Sequence, residues 1–200
     1  MLRLLSLLLA SFMISPVSAT TLLVLGDSLS AGYQMPIEKA WPSLLPNVLA
    51  DKGKPVTVIN GSISGDTTGN GLARLPKLLD EHKPNIVLIE LGANDGLRGF
   101  PPNLIEINLV SIIGQVKAID AQPILMQIHV LPNYGKRYTQ AFSDLYPKIA
   151  NAQQIPLVPF MLEPIMRDYP DWMMADGLHP KPDAQPWIAE FVSKQLINHL

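Results

Sequence analysis

One serine, one aspartate and one histidine stand where together they could transfer an acyl group. Ser28 lies three residues after an apolar run at 22–25, whereas Asp176 and His179 lie three residues apart near the end of the chain. A serine hydroxyl is a weak nucleophile until a base removes its proton, and histidine is well suited to this near neutral pH. The histidine in turn needs a carboxylate to fix its tautomer. Ser28 is therefore either a turn residue or a nucleophile.

Three groups are candidates to stabilise the negative charge that acyl transfer places on a carbonyl oxygen. They are the backbone N–H of Ser28, the backbone N–H of Gly65 and the side-chain amide of Asn94. Gly65 has no side chain to obstruct a substrate. Asparagine also commonly satisfies loop backbone groups. Asp176 and His179 could instead form part of a metal site, but further ligands at suitable spacing are missing.

Short apolar runs alternate with helical periodicities, and this alternation predicts the elements that must position these groups. It predicts a single three-layer α/β/α domain, flavodoxin-like, with a parallel sheet of about five strands and helices on both faces. Prolines at 42 and 46 weaken the first predicted helix. The predicted strands are 22–25, 56–59, 86–91, 123–128 and 156–159, and the predicted helices are 38–49, 72–79, 104–119, 138–150 and 187–196.

The candidate groups fall in loops that a parallel sheet brings to one edge. Ser28 follows the first predicted strand, Gly65 the second and Asn94 the third, while Asp176 and His179 precede the last helix. Ligands bind at the carboxyl ends of strands in open α/β sheets. This convergence favours a nucleophilic role for Ser28 over a role as a turn or helix-cap residue.

These clusters resemble the sequence blocks of the SGNH, or GDSL-type, hydrolases. Gly-Asp-Ser-Leu-Ser surrounds Ser28, Gly65 lies in the second block, Gly-x-Asn-Asp covers 92–95 and Asp-x-x-His covers 176–179, in the family's order. More narrowly, the chain resembles the periplasmic multifunctional thioesterase/protease/lysophospholipase members of that family. The resemblance implies Ser28 as nucleophile, His179 as base, Asp176 as its orienting acid, and Ser28, Gly65 and Asn94 as the oxyanion hole.

The resemblance also implies a substrate class and no cofactor or metal. The expected substrates are small-molecule carboxylic esters and thioesters: acyl-CoA-type thioesters, aryl and fatty acyl esters, and lysophospholipids. Apolar residues beside the motifs are candidates for an acyl-chain groove, although core packing explains them equally well: Ile63, Leu97, Phe100 and Leu178. The alternatives are a carbohydrate O-acetyl esterase on the same fold and a non-catalytic small-molecule binding module.

Other polar residues near the motifs are expected to be structural. Asp27, Asp66 and Asp95 each adjoin a candidate group, and we expect them to accept hydrogen bonds from loop N–H groups. His129 follows the fourth predicted strand with no acid beside it, and we expect an ordinary loop residue there.

Charge and cysteine content exclude several classes of protein. The formal net charge is −2 and no cluster of lysine and arginine is present, so the sequence gives no basis for binding nucleic acid. The absence of cysteine excludes disulfides, thiol nucleophiles and thiolate metal sites. The expected state is a monomer.

Residues 1–19 have the pattern of a secretory signal peptide. Arg3 precedes an apolar run, Pro16 ends it, and small residues at 17–19 suit cleavage after Ala19. The run is shorter than the roughly 20 residues that a membrane span needs. We therefore expect a hydrolase domain at 20–200, exported, most simply to the periplasm, with no stable membrane insertion after cleavage.

Overall fold

Five parallel strands form one sheet in the computed structural model, which describes residues 20–130 and 134–200. The predicted signal peptide, 1–19, lies outside the described residues. The strands are β1 (Thr20–Gly26), β2 (Val56–Asn60), β3 (Ile86–Glu90), β4 (Gln122–Met126) and β5 (Leu157–Val158). Their order is β2-β1-β3-β4-β5. This is the flavodoxin-like order, whose direction reverses between β1 and β3 and opens a crevice at their carboxyl ends.

Helices cover both faces of the sheet. By the right-handed crossover rule, the helices Trp41–Asp51 and Gln185–Leu196 pack together on one face. The helices Thr68–His82, Pro102–Lys117 and Lys136–Gln153 form the layer on the other face. Single turns of 3₁₀ helix lie at Ile37–Lys39, Pro170–Trp172, Pro182–Ala184 and Ile197–His199. The helices are α1 (Ser28–Ala31), α2 (Trp41–Asp51), α3 (Thr68–His82), α4 (Ala93–Leu97), α5 (Pro102–Lys117), α6 (Lys136–Gln153), α7 (Glu163–Asp168) and α8 (Gln185–Leu196).

The central strands are apolar because both of their faces are covered. Leu22 to Leu25 and Ile86 to Ile89 are all buried, and a continuous apolar run is typical of a strand between two helical layers. β1 and β3 pair in register from Leu22 opposite Ile86 to Gly26 opposite Glu90. This register brings the ends of the two strands to the same level, where the candidate residues begin.

The predicted α/β/α fold class is confirmed, and the errors concern the boundaries of strands and helices and three short helices. The helix predicted at 38–49 begins instead at Trp41, after a separate 3₁₀ turn. Pro42 is tolerated in the first turn of α2, where its missing N–H would have no partner, and Pro46 lies inside the helix. The sequence analysis did not predict α1, α4 and α7, because helices of four to six residues are too short to show an apolar period.

Candidate active site

Ser28 lies in a segment of residues 26–30, here called the serine turn, where β1 passes into α1. Asp27 caps α1, since its Oδ1 accepts a hydrogen bond from Leu29 N–H at 3.0 Å. The φ of Gly26 does not lie in the left-handed region, so the backbone conformation alone does not call for glycine here. A Cβ built at Gly26 would lie 2.6 Å from Glu90 Oε2. Space for Glu90 therefore requires the glycine.

Two hydrogen bonds link Ser28, His179 and Asp176 in a row. Ser28 Oγ lies 2.8 Å from His179 Nε2, and His179 Nδ1 lies 2.8 Å from Asp176 Oδ2. An ionised carboxylate can only accept hydrogen bonds, so Nδ1 carries the ring proton and Nε2 accepts from the serine hydroxyl. The fold thus joins the three predicted residues in the order that proton transfer from Ser28 requires.

The environment of Asp176 keeps this carboxylate ionised. Partial burial acts to raise its pKa, but hydrogen bonds from the N–H groups of Leu178 and His179 and from the histidine ring outweigh burial. The net result is a pKa below the ordinary value for aspartate. Asp176 is therefore an acceptor for His179 over the whole neutral range.

A short closed loop holds Asp176 and His179. Met173 and Pro180 form an antiparallel bridge, and Met174 N–H donates to the carbonyl of His179 at 2.8 Å. Outside this loop, the ring of Tyr33 stacks on the imidazole with 4.0 Å between centroids and 23° between planes. The sequence analysis missed this contact, although Tyr33 lies five residues after Ser28.

Asn94 connects the loops that follow β1, β2 and β3. It lies in the first turn of α4, and its Nδ2 donates to the carbonyl of Asp66 at 2.9 Å and to Asp27 Oδ2 at 3.1 Å. Beside Asp66, Gly65 has φ +86° and open space where a side chain would stand. Both amide hydrogens of Asn94 already have acceptors, so an oxyanion at the site competes for one of them.

Arg74 holds the Gly65 loop against the sheet. Its Nε donates to Asp66 Oδ2 at 2.6 Å, and its other nitrogens donate to the carbonyl oxygens of Gly61 and of Gly26, the latter at 3.2 Å. We expected Asp66 to accept hydrogen bonds from loop N–H groups. That expectation is wrong, because its carboxylate pairs with the guanidinium of Arg74.

Asp27 and Asp95 do accept hydrogen bonds from backbone N–H groups, as expected. Asp27 accepts from Leu29 N–H, and Asp95 accepts from Thr68 N–H at 2.8 Å. The Thr68 hydroxyl also donates to Asp95 Oδ1, at 2.6 Å. Neither carboxylate contacts His179, so neither competes with Asp176 as its partner.

A cavity of about 270 Å³, here called the site cavity, opens beside Ser28 and His179. Two of the predicted groove residues, Leu97 and Leu178, line it. Ile63 and Phe100 do not: Ile63 is 51% exposed, and Phe100 packs against the core. The apolar walls come from Leu29, Ala93, Leu97, Val130, Phe160, Leu162, Met166 and Leu178.

His129 also lines the site cavity, which the sequence analysis did not foresee. It is a loop residue as expected, but its ring lies 5.4 Å from that of Phe160, centroid to centroid. Both residues follow strands at the same sheet edge as Ser28, namely β4 and β5. Applying the strand-end argument to these two strands would have found them.

A larger depression, about 720 Å³, lies beside the amino end of β3. Its lining includes Pro84 and Asn85, which precede β3, so it lies at the sheet edge opposite Ser28. No serine or histidine is among the residues that line it. Of these two cavities, the site cavity is therefore the one that can present a substrate to Ser28.

Two buried carboxyl groups lie beneath the serine turn. Burial raises the pKa of Asp27 to about 7; the negative charges of Asp95 and Asp66 add to this, and hydrogen bonds from Leu29 and Asn94 oppose it. Burial, and then the charge of Asp27, raise the pKa of Glu90 well above its ordinary value. One acid of the serine turn, Asp27, and one acid packed against it, Glu90, thus keep their protons to unusually high pH.

Two absences apply to residues 20–130 and 134–200. Within these ranges, no three side chains of the metal-binding types are grouped so that they could hold a metal ion. The helices of the same ranges include none with the length and apolar character needed to cross a bilayer.

Comparison with known proteins identifies the class. The GDSL-like Lipase/Acylhydrolase family matches residues 24–185, and the chain belongs to this family. It is a serine ester hydrolase. The family and the enzyme class that the sequence predicted are both confirmed.

The individual proteins that the chain resembles are named as esterases and thioesterases. The chain is 65% identical to an arylesterase of Vibrio mimicus over 100% of both chains. It is 53% identical to thioesterase 1/protease 1/lysophospholipase L1 of Escherichia coli K12, over 91% of this chain and 87% of the relative. Among solved structures, the esterase EstA from Pseudoalteromonas sp., inhibited by monoethylphosphonate, is 39% identical with a TM-score of 0.86, covering 90% of this chain and 98% of that one.

The raised pKa of Asp27 predicts that stability falls as pH rises from about 4 to about 7. The unfolded chain releases this proton near pH 3.8, whereas the folded protein keeps it until about pH 7. Between these values each pH unit favours unfolding by about 1.4 kcal/mol. Because the pKa of Glu90 is also raised, the test is the difference between two proteins: in urea unfolding at several pH values, the loss of stability with pH should be steeper in the wild type than in Asp27→Asn. Parallel curves for the two proteins would contradict the prediction.

Proposed function

We propose that this protein hydrolyses carboxylic esters and thioesters through an acyl-Ser28 intermediate. The observation that supports this most directly is the pair of 2.8 Å hydrogen bonds from Ser28 Oγ through His179 to Asp176. A serine, a histidine and an aspartate hydrogen-bonded in this order are the groups that catalyse acyl transfer in serine hydrolases.

The first half of the reaction acylates Ser28. His179 Nε2 takes the hydroxyl proton as Oγ attacks the acyl carbonyl carbon, and Asp176 stabilises the imidazolium that forms. The tetrahedral intermediate collapses as the bond from carbon to the leaving oxygen or sulfur breaks. His179 returns the proton to that leaving group, which departs as an alcohol or a thiol.

The second half restores the free enzyme. A water molecule gives a proton to His179 Nε2 and attacks the acyl-Ser28 ester. The new intermediate collapses to a carboxylic acid, and His179 returns the proton to Ser28 Oγ. Neither half needs a metal or a cofactor.

The proposed oxyanion hole consists of the Ser28 and Gly65 N–H groups and the Asn94 amide. In the described part of the chain, neither backbone N–H donates to another protein group. Asn94 is held between Asp27 and Asp66, so its amide is oriented before a substrate arrives. The two backbone donors can stabilise the charge that develops in the transition state without reorganisation, whereas the Asn94 amide must share a hydrogen that it now donates to Asp27 or Asp66.

The site cavity supports acyl chains rather than sugars as the bound group. Its wall is mainly aliphatic and aromatic, and it begins at Ser28 and His179. A buried methylene contributes about 0.8 kcal/mol, so such a wall rewards longer acyl groups. We therefore propose medium-chain to long-chain acyl thioesters, aryl and fatty acyl esters, and lysophospholipids as substrates.

Export with cleavage after Ala19 completes the proposal. The first residue paired in the sheet is Thr20, opposite Val56, so cleavage there leaves every described strand intact. The predicted location is the periplasm. Amino-terminal sequencing of the exported protein should begin at Thr20; a start at any later residue would remove a paired residue of β1 and contradict this site.

Removing the Ser28 hydroxyl should abolish covalent catalysis. Ser28→Ala should no longer be labelled by a fluorophosphonate probe, and turnover should fall to the ~10³–10⁴-fold enhancement over water that binding and oxyanion contacts sustain. Ser111→Ala, whose hydroxyl bonds only within α5, is the matched control and should label normally. Wild-type protein that fails to label at Ser28 would favour a non-catalytic binding module.

The chain-length dependence of kcat/KM tests the role of the site cavity. Across aryl esters and matched thioesters, kcat/KM should rise roughly fourfold per added methylene until the acyl chain outgrows the cavity. Met166→Trp should shift the optimum to shorter chains, whereas Ile107→Trp, exposed on α5, should not. A preference for acetyl groups on sugars would instead indicate a carbohydrate O-acetyl esterase.

A further inference from the structure

Glu90, the last residue of β3, places a carboxyl group against the serine turn. It has no exposed surface, and it lies opposite Gly26 in the pairing of β1 with β3. The carboxyl occupies the space that any side chain at position 26 would need, since a Cβ there would lie 2.6 Å from Oε2. Glu90 is thus packed directly against the segment that carries Ser28.

Glu90 fastens the serine turn on both sides of Ser28. Its Oε2 accepts a hydrogen bond from the Ser30 hydroxyl at 2.6 Å and a longer one from Asp27 N–H at 3.4 Å. Asp27 extends the network, because its Oδ2 accepts from the amide of Asn94. One buried carboxyl therefore lies at the root of a network that reaches both the serine and an oxyanion donor.

The surroundings of Glu90 favour its neutral form. Its Oε1 is buried without a hydrogen-bond partner in the described part of the chain, as is the hydroxyl of Ser62, which also contacts Gly26. A fully buried carboxylate with one oxygen lacking any donor costs far more than a neutral acid in the same place.

The charged groups nearby do not offset that cost. The titratable groups that face the Glu90 and Asp27 pair are Asp66, Asp95 and the buried phenol of Tyr146, none of them a cation. Arg74, which reaches the carbonyl of Gly26, is already paired with Asp66.

We propose that Glu90 is a positioning residue, a neutral carboxylic acid that fixes Ser28 by binding the residues on either side of it. This inference rests on the proposed role of Ser28 as nucleophile. Neutrality matters as well as geometry, since an ionised Glu90 behind the turn would oppose the negative charge that forms on the substrate oxygen.

Replacement of Glu90 by glutamine and by leucine separates these contributions. Glu90→Gln keeps an acceptor oxygen and no charge, so it should retain kcat to within about threefold of the wild type. Glu90→Leu keeps the bulk but accepts no hydrogen bond. Its kcat and its rate of fluorophosphonate labelling should fall about 10- to 100-fold, as expected for a small displacement of a reacting group. KM should change little, because Glu90 does not line the site cavity.

Ser30→Ala tests the same contact from the other side. It deletes the donor of the 2.6 Å hydrogen bond and should lower kcat by about tenfold. Ser193→Ala is the matched control, because Ser193 is also fully buried and donates one hydrogen bond, to the carbonyl of Glu190 in α8. It should lower stability but leave kcat as it is.

The outcomes distinguish the possible failures. Glu90→Leu with wild-type kcat and labelling would overturn the positioning role, and Glu90→Gln as slow as Glu90→Leu would overturn the neutral form. If Glu90→Leu does not fold, full activity in Ser30→Ala overturns the inference instead. Failure of the proposed function itself looks different, because wild-type protein would then not be labelled at Ser28.

Discussion

The hydrogen bond between Ser28 and His179 joins residues 151 positions apart, and its length depends on how most of the structure is assembled. The register of β1 with β3 sets the level of the serine, and the bridge between Met173 and Pro180 closes the loop that carries the histidine. Neither end can move by much without breaking a 2.8 Å contact. The helical layers matter to the chemistry because they hold this distance.

A second constraint is the free-energy cost of burying two acids at the turn that carries Ser28. Asp27 and Glu90 are both without exposed surface, and two like charges so close and so dry cannot both be ionised cheaply. Two effects lower this cost: the carboxyl groups keep their protons, and donors such as the Ser30 hydroxyl form hydrogen bonds with them. Asp176 shows the opposite case: it is near the surface, has several donors and has a lowered pKa. Environment thus separates the roles of chemically identical groups.

The sequence predicted the parts of this site that depend on chain order. Ser28, Gly65 and Asn94 each follow a strand, and strand ends in a parallel sheet share an edge, so their convergence followed from periodicity alone. Contacts that depend on side-chain packing did not follow. The need for Gly26, the stacking of Tyr33 on His179 and the part of the cavity wall formed by Met166 are set by distances between elements that no local pattern records.

The position of β1 in the middle of the sheet has a consequence for biogenesis. The strand comes first in the described chain, yet both of its partners come later, and the second is complete only at Glu90. Its apolar residues therefore stay without their native cover until almost half of the protein has been synthesised, and the hydrogen-bond partner of Ser28 arrives only at residue 179. Such non-local pairing delays folding. A chain of this topology completes the core around β1 late, and the hydrogen bond from Ser28 to His179 forms only when the loop at 173–180 docks.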